Sequence, residues 1–154
     1  MLKNKKGIIF GIANDHSIAW GIAKKLSEHG AELALTYQNN TILKRVKPLA
    51  LKLNSQLLIE CDFSKKNSVE TCFNNVRKKW NNIDFVIHAA AFSDKNELNG
   101  RYIDTSKDNF INTLNISCYS FTEISKYASI MMKDGGSLLT LSFYGANKVM
   151  PNYN

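Results

Sequence analysis

Two kinds of hydrophobic pattern alternate along the chain. Short, continuous apolar runs are typical of buried strands, and stretches whose apolar residues recur every three or four positions are typical of helices with one face on the core. The runs predict five strands, at 7–10, 31–37, 56–60, 83–91 and 137–142. The periodic stretches predict helices at about 17–28, 41–53 and 68–80, and a long helix from 105 or 106 to 132.

Strands that alternate with helices in this way predict a parallel sheet, because a helical crossover returns the next strand in the same direction. With right-handed crossovers the strand order becomes 3-2-1-4-5, so the pattern predicts a Rossmann-type, doubly wound α/β fold. Residues 1–154 are expected to form a single nucleotide-binding domain. At this length a domain buries about two thirds of the surface of its unfolded chain.

The junction from Gly7 to Ala23 is the most informative stretch. An apolar run ends in a turn at Gly11, and a helix begins near Ser17. The N-terminus of a helix carries free N–H groups and the positive end of the helix dipole, so such a junction favours a pyrophosphate. The dinucleotide fingerprint G-x-G-x-x-G would need a second glycine at Ala13, however, and the next glycine is Gly21. The generic motif is therefore matched only weakly.

Composition and charge narrow the class of protein. The hydrophobic content is 44%, and no apolar stretch approaches the roughly 18 residues of a membrane span. The N-terminus is basic and then apolar, but its apolar part is too short for a signal peptide and lacks a small-residue cleavage site. The net charge of +7 fits either an acidic partner or a composition rich in Lys and Asn. Binding to nucleic acid is not predicted, because the lysines are dispersed and no recognised motif accompanies them.

Cysteine and histidine residues give no sign of a metal site. Cys61, Cys72 and Cys118 are odd in number and have no C-x-x-C spacing, so neither a disulfide framework nor a zinc site is predicted. This usage fits a reducing cytoplasm. His88 is a lone histidine beside a predicted strand, for which a structural role is favoured over metal binding or acid–base chemistry.

Several sequence blocks occur in the same order as in a known family. They are Gly11-Ile12-Ala13, Ser17-Ile18-Ala19, Gly21-Ile22-Ala23, Gly30-Ala31-Glu32-Leu33-Ala34, Thr36-Tyr37-Gln38, Cys61-Asp62, Phe92-Ser93-Asp94-Lys95, Gly100-Arg101-Tyr102, Ser117-Cys118-Tyr119-Ser120-Phe121 and Met150-Pro151-Asn152-Tyr153-Asn154. Together these blocks resemble the bacterial NADH-dependent enoyl-(acyl carrier protein) reductases. That family is a divergent branch of the short-chain dehydrogenase/reductase superfamily. The order of the blocks makes the resemblance far more specific than any one motif.

The resemblance implies that the cofactor NADH/NAD+ binds at the carboxyl edge of the sheet. The implied cofactor-binding residues are Gly11, Ile12, Ala13, Ser17, Ile18, Ala19, Gln38, Asp62, Phe63, Ala89, Ala90 and Ala91. Gln38 stands where other dinucleotide-binding folds carry an acidic residue for NAD or a nearby Arg for NADP. Glutamine at this place is typical of the family and favours NADH. The residues alone leave NADPH open, because Lys44 and Arg45 follow one turn later.

Two of these assignments have a structural alternative. Asp62 and Phe63 are implied to flank the adenine, but Asp62 can also cap a turn before Ser64, and both roles are compatible. The alanines at 89–91 either let the cofactor approach the backbone closely or allow tight packing of a helix on the sheet.

The reaction implied by the resemblance is hydride transfer from NADH to the β-carbon of a trans-2-enoyl thioester in type II fatty acid synthesis. The implied substrate is carried by acyl carrier protein, an acidic partner. Tyr153 is the implied catalytic residue, whose hydroxyl stabilises the negative charge that develops on the thioester oxygen. Phe143 is implied in the substrate pocket, and the loop at 92–104 is implied to lie beside it.

The family is also cytoplasmic and homotetrameric, so a homo-oligomer is implied. Apolar residues of the long helix are predicted to lie in the core or in a subunit contact; they are Phe110, Leu114, Tyr119, Phe121 and Ile124.

The end of the chain bears on activity. In the family, the tyrosine that matches Tyr153 is followed seven positions later by a lysine. The corresponding position in this sequence lies beyond Asn154. The chain is therefore expected to be the N-terminal part of a reductase, with little or no activity alone and with the fifth strand as an exposed edge. Two other interpretations stay open. One is another short-chain reductase, whose lysine follows the tyrosine by four residues, and the other is a non-catalytic nucleotide-binding remnant.

Overall fold

The computed structural model describes residues 1–151 and residue 153. Its strands are β1 (Lys6–Phe10), β2 (Glu32–Tyr37), β3 (Leu57–Glu60), β4 (Phe85–His88) and β5 (Ser137–Thr140). Its α-helices are α1 (Ile18–Glu28), α2 (Asn40–Lys52), α3 (Ser68–Arg77), α4 (Lys107–Leu114) and α5 (Ser120–Met131). A π-helical stretch, Asn115–Tyr119, joins α4 to α5 and is called the π segment below.

All five strands pair in parallel, in the order β3-β2-β1-β4-β5. This order confirms the predicted doubly wound α/β fold. Successive side chains of a strand point to opposite faces, so Ile8 and Phe10 pack with α3 and α5 on one face of the sheet. Ile9 packs with α1 and α2 on the other face. The central strand β1 is therefore buried from both sides, and its carboxyl end is held between two layers of helices.

Strand β4 is shorter than predicted. The apolar run predicts a strand to residue 91, but β4 ends at His88, and its partner β1 ends opposite it at Phe10. One further bond of 3.1 Å joins the N–H of Ala89 to the carbonyl of Phe10. Beyond it β1 turns away at Gly11, so within the described residues Ala90 and Ala91 do not continue the strand and lie at the sheet edge.

The long helix predicted from 105 or 106 to 132 is interrupted. Helix α4 begins after Ser106, whose side chain accepts a hydrogen bond from the N–H of Asn109 at 3.2 Å. In the π segment the N–H of Ser120 bonds the carbonyl of Asn115, five residues back rather than four. No glycine or proline marks this break, and the extra residue changes which side chains face the sheet.

The apolar residues of the predicted long helix are not all buried. Ile124 lies in the core, one of the two predicted places, whereas Phe110, Leu114 and Tyr119 are exposed, so for these three the predicted subunit contact stays a prediction. Ile18, the first residue of α1, is 70% exposed, whereas Ala19, Trp20 and Ala23 of the same helix are buried.

Strand β5 forms one edge of the sheet. It pairs with β4 alone within the described residues, and Leu138 and Leu139 on it are partly exposed. This agrees with the predicted apolar edge.

None of the helices in residues 1–151 combines the length and hydropathy that a membrane crossing requires. Cys61 and Cys72 are buried free thiols, and Cys118 is an exposed one.

The turn after β1 depends on glycine at position 11. A Cβ atom there would lie 2.2 Å from the carbonyl oxygen of Ala89, and the backbone φ is +97°, a region that L side chains rarely adopt. We expect Gly11→Ala to lower the free energy of unfolding by at least about 2 kcal/mol. Urea denaturation followed by circular dichroism measures this change.

Gly21→Ala is the matched control for this variant. Gly21 lies inside α1, and a Cβ atom there would meet no atom within 4 Å. Alanine favours a helix over glycine, so Gly21→Ala should raise stability by up to about 1 kcal/mol. Equal stability of the two variants would contradict the role assigned to Gly11.

Candidate cofactor-binding site

A cleft of about 210 Å³ opens at the carboxyl ends of β1, β2, β3 and β4. It is lined by Gly11, Ile12, Ala13, Thr36, Tyr37, Gln38, Ile42, Cys61, Asp62, Phe63, Ala89, Ala90, Ala91, Phe92 and Ile116. The lining contains every predicted cofactor-binding residue except Ser17, Ile18 and Ala19, which lie at the start of α1. In a doubly wound sheet this edge is where ligands bind, because the crossovers leave a crevice there.

The loop between β1 and α1 is held by Ser17. Its hydroxyl oxygen accepts hydrogen bonds from the backbone N–H groups of Ala13, at 3.0 Å, and Asn14, at 3.1 Å. The Asn14 side chain in turn accepts from the N–H of His16 at 2.9 Å. Among the described residues, positive φ angles occur at Gly11 but not at Ala13. The backbone at Ala13 therefore does not need the glycine that the dinucleotide fingerprint places there.

The N-terminus of α1 is free to bind an anion. The Ser17 side chain points back into the loop and makes no capping bond to the helix. Within the described part of the chain, the N–H groups of Ile18 and Ala19 have no recorded acceptor. No acidic side chain occupies the first turn of α1, so the positive end of the helix dipole is not neutralised locally. These are the features by which a helix binds a phosphate group.

Asp62 organises the opposite side of the cleft. Its Oδ1 atom accepts hydrogen bonds from the Ser64 hydroxyl at 2.7 Å, the Ser64 N–H at 3.0 Å and the Gln38 amide at 3.4 Å. Burial by itself would raise the pKa of Asp62, but the bonds from Ser64 and Gln38 and the nearby Lys65 hold the pKa below its ordinary value. The turn-capping role of Asp62 is therefore confirmed, and its contact with adenine remains a prediction.

His88 lies below the cleft and is 1% exposed. Its Nδ1 atom is 2.8 Å from the Thr140 hydroxyl, and its Nε2 atom is 2.8 Å from the Ser120 hydroxyl. Burial lowers the pKa of His88, so the neutral ring is favoured. These contacts support the predicted structural role. In residues 1–151 and 153, no group of three His, Cys, Asp or Glu side chains is placed to hold a metal ion.

Phe143 and Tyr153 come together in a second cleft. Their ring centroids are 5.4 Å apart in an edge-to-face arrangement, and the N–H of Tyr153 bonds the carbonyl of Met150 at 3.2 Å. The cleft measures about 680 Å³, and Gly100 and Tyr102 of the loop at 92–104 also line it. The two residues predicted on the substrate side are thus neighbours, as are the loop residues predicted beside them. Their roles in binding and reaction stay predictions.

Comparison with known proteins decides the family. The model of the family described as enoyl-(acyl carrier protein) reductase matches residues 11–154. The chain belongs to the enoyl-(acyl carrier protein) reductase family. The family resemblance seen in the sequence blocks is therefore confirmed.

Three relatives show how far the similarity extends. The chain is 53% identical over 154 residues to an enoyl-(acyl carrier protein) reductase [NADH] of Rhizobium meliloti, covering 100% of the chain and 58% of the relative. It is also 53% identical to the corresponding reductase of Rickettsia typhi, of which it covers 59%. A crystal structure of the Anaplasma phagocytophilum reductase in complex with NAD superposes with a TM-score of 0.95 and 55% identity, over 99% of the chain and 58% of that protein. The chain thus spans less than two thirds of the length of these reductases.

Sequence reasoning missed the part of the site built by the π segment. Ile116 lines the cleft, and the Asn115 side chain donates to the carbonyl of Phe63 at 3.0 Å. The Ser117 hydroxyl accepts from the N–H of Phe92 at 3.0 Å and donates to its carbonyl at 3.1 Å. The sequence blocks shared with the family include Ser117-Cys118-Tyr119-Ser120-Phe121, which overlaps this segment, but the sequence does not indicate its π geometry or its bonds to Phe63 and Phe92.

The bonds to Asp62 predict a pH-dependent contribution to stability. A carboxylate whose pKa is lowered by folding contributes fully above its unfolded pKa of about 3.9, and the contribution is lost as the pH falls through the folded value. Asp62→Asn should lower the free energy of unfolding by about 1–2 kcal/mol near neutral pH. In urea denaturation, the difference from the wild type should shrink below about pH 3.9.

Asp15→Asn serves as the control, because the Asp15 side chain is exposed and lies 3.7 Å from the equally exposed side chain of His16. It should leave the stability within about 0.5 kcal/mol of the wild type at neutral pH. A pH-independent loss in Asp62→Asn would contradict the prediction.

Proposed function

We propose that this chain forms the NADH-binding part of an enoyl-(acyl carrier protein) reductase, which reduces trans-2-enoyl thioesters to acyl thioesters. The observation that carries the proposal is the free N-terminus of α1 beside the cleft, with a loop held in place by Ser17. NADH would lie along the carboxyl edge of the sheet, with its pyrophosphate at the N–H groups of Ile18 and Ala19. A dinucleotide fits this donor set, because both its charge and its shape match an open crevice that ends on a helix.

The adenosine side of the cofactor would be held by Gln38, Asp62 and Phe63. The Asp62 carboxylate lies at this end of the cleft and keeps its negative charge, since its pKa is lowered. A 2′-phosphate next to this carboxylate would be repelled, which supports NADH over NADPH. The side chains of the alanines at 89–91 are small, so they leave room for the backbone to approach the cofactor.

On the substrate side, Tyr153 would act on the thioester oxygen. When bound, the nicotinamide supplies the hydride. The Tyr153 hydroxyl would donate a hydrogen bond to the oxygen on which negative charge develops, and such a donor stabilises the transition state more than the ground state. Phe143 packs edge-to-face on the Tyr153 ring, with the ring centroids 5.4 Å apart.

The proposed partner is acyl carrier protein with its bound enoyl group. The net charge of +7 supports this partner, because a positively charged surface speeds the encounter with an acidic protein. The exposed apolar residues Phe110, Leu114 and Tyr119 on α4 and the π segment support a homo-oligomer of the kind that the resemblance implies. The proposed location is the cytoplasm, where the three free cysteines stay reduced.

NADH binding is tested by titrating the chain with NADH and following nucleotide fluorescence. Ser17→Ala removes the acceptor that holds the N–H groups of Ala13 and Asn14. We expect the Kd for NADH to rise about tenfold, which corresponds to about 1.4 kcal/mol. Ser27→Ala makes the same chemical change in the last turn of α1 and should leave the Kd within about twofold. A wild-type chain that binds no NADH would overturn the proposal.

The substrate-side role is tested separately with Tyr153→Phe. In any preparation that oxidises NADH with an enoyl thioester, removing this hydroxyl should lower kcat about 100-fold or more. Tyr144→Phe is the control, because Tyr144 is a neighbouring exposed tyrosine. Unchanged kcat in Tyr153→Phe, or an equal loss in both variants, would show that Tyr153 is not the donor to the thioester oxygen.

A further inference from the structure

We propose that His88 is a positioning residue for the cofactor cleft. It holds Ser120, the first residue of α5, and Ser120 in turn holds the π segment in place. His88 itself does not line the cleft. The π segment does, through Ile116, and it holds the residues on both sides of the cleft. This inference rests on the proposed function, because it takes the cleft as the site of NADH.

The directions of the hydrogen bonds define the state of the His88 ring. The Ser120 hydroxyl donates its single proton to the carbonyl of Ile116 at 2.7 Å. It can therefore only accept from His88, so Nε2 carries the ring proton. The neutral ring then has an unprotonated Nδ1, which accepts from the Thr140 hydroxyl. This one tautomer gives a partner to both ring nitrogens of His88 and to the hydroxyls of Ser120 and Thr140. Within the described residues, no buried side-chain polar atom lacks a hydrogen-bond partner.

Ser120 connects this ring to the π segment. Its N–H bonds the carbonyl of Asn115, and its hydroxyl bonds the carbonyl of Ile116, so one residue anchors two successive carbonyls. A serine hydroxyl that donates to the carbonyl four residues back competes with the regular helical bond and bends the helix. The His88 bond holds the Ser120 hydroxyl in the orientation that this requires.

The π segment in turn fixes both walls of the cleft. The Asn115 side chain donates to the carbonyl of Phe63, which follows β3. The Ser117 hydroxyl makes two bonds to the backbone of Phe92, which follows β4. Ile116 lies between them on the cleft surface. A shift of the π segment would therefore move three lining residues together.

The position of His88 explains why a histidine suits this place. It lies at the end of β4, beside the end of β5 at Thr140 and the start of α5 at Ser120. The rings of Phe63 and Phe121 pack against it, with centroids 5.8 and 5.5 Å away. An apolar side chain could fill this volume, but it would leave the hydroxyls of Ser120 and Thr140 without their partner. In a water-excluded site, such unsatisfied groups destabilise the arrangement.

Two hydroxyl deletions separate positioning from simple stability. Ser120→Ala removes the link from His88 to the π segment, and Thr140→Val removes the other bond of the same ring while keeping the side-chain shape. Both should lower the Tm. We expect the Kd for NADH to rise at least about fivefold in Ser120→Ala and to stay within about twofold in Thr140→Val. Equal Kd changes in the two variants would overturn the inference.

Two substitutions of His88 provide a rescue test, which still decides the question if Ser120→Ala fails to fold. Gln places its amide near the position of Nε2 and can still bond Ser120, whereas Asn places its amide near Nδ1 and can bond only Thr140. His88→Gln should therefore bind NADH more tightly than His88→Asn, although both lose the ring. The reverse order, or equal affinities, would contradict a role through Ser120.

The tautomer is tested without any ligand. In the wild-type protein, 15N NMR of the His88 imidazole should show a protonated Nε2 and an unprotonated Nδ1 at neutral pH. The opposite tautomer, or a rapidly exchanging mixture, would overturn the hydrogen-bond chain from His88 to Ile116.

A wild-type chain that shows the expected tautomer but binds no NADH would refute the proposed function, and with it the effect on the cofactor. A wild type that binds NADH with the wrong tautomer would refute the positioning role alone.

Discussion

The close contact between the backbone at Gly11 and the carbonyl of Ala89 is the constraint on which the rest of the site depends. A Cβ atom at position 11 would lie 2.2 Å from that oxygen, so the two central strands can meet at their ends only with glycine there. The contact ends β1, ends the pairing of β4 and turns the chain towards α1. It thereby opens the crevice and brings the N-terminus of α1 beside it.

Polar side chains then hold the loops at this edge, because the loops have no ladder of backbone bonds. Ser17 holds the turn before α1, and Asp62 holds the turn after β3. Asn115 and Ser117 attach the π segment to the chain after β3 and β4. Each of these groups bonds a backbone atom or a hydroxyl. A cleft held in this way is preformed, so less binding energy would be lost in ordering it when a ligand binds.

The departure from the usual glycine fingerprint also has a physical reason. A glycine at position 13 would be needed if the backbone there had a positive φ, but Ala13 is not among the described residues with a positive φ. Instead the Ser17 hydroxyl takes the N–H groups of Ala13 and Asn14 and gives the turn its shape. A search for spaced glycines therefore underrates a junction of this kind. Family membership rests on the match over residues 11–154 and not on this motif.

Hydrophobic periodicity and ordered motif blocks are local signals, so they were enough to predict the alternation of strands and helices, the parallel sheet order and the family. The sequence also placed most of the residues that line the cleft. The tertiary structure alone decided where β4 ends, where the long helix changes to π geometry and which groups bond His88. The apolar pattern does not distinguish a π turn from an α turn. The partners Ser120 and Thr140 are 32 and 52 residues away from His88 in the chain, so only the folded sheet brings them together.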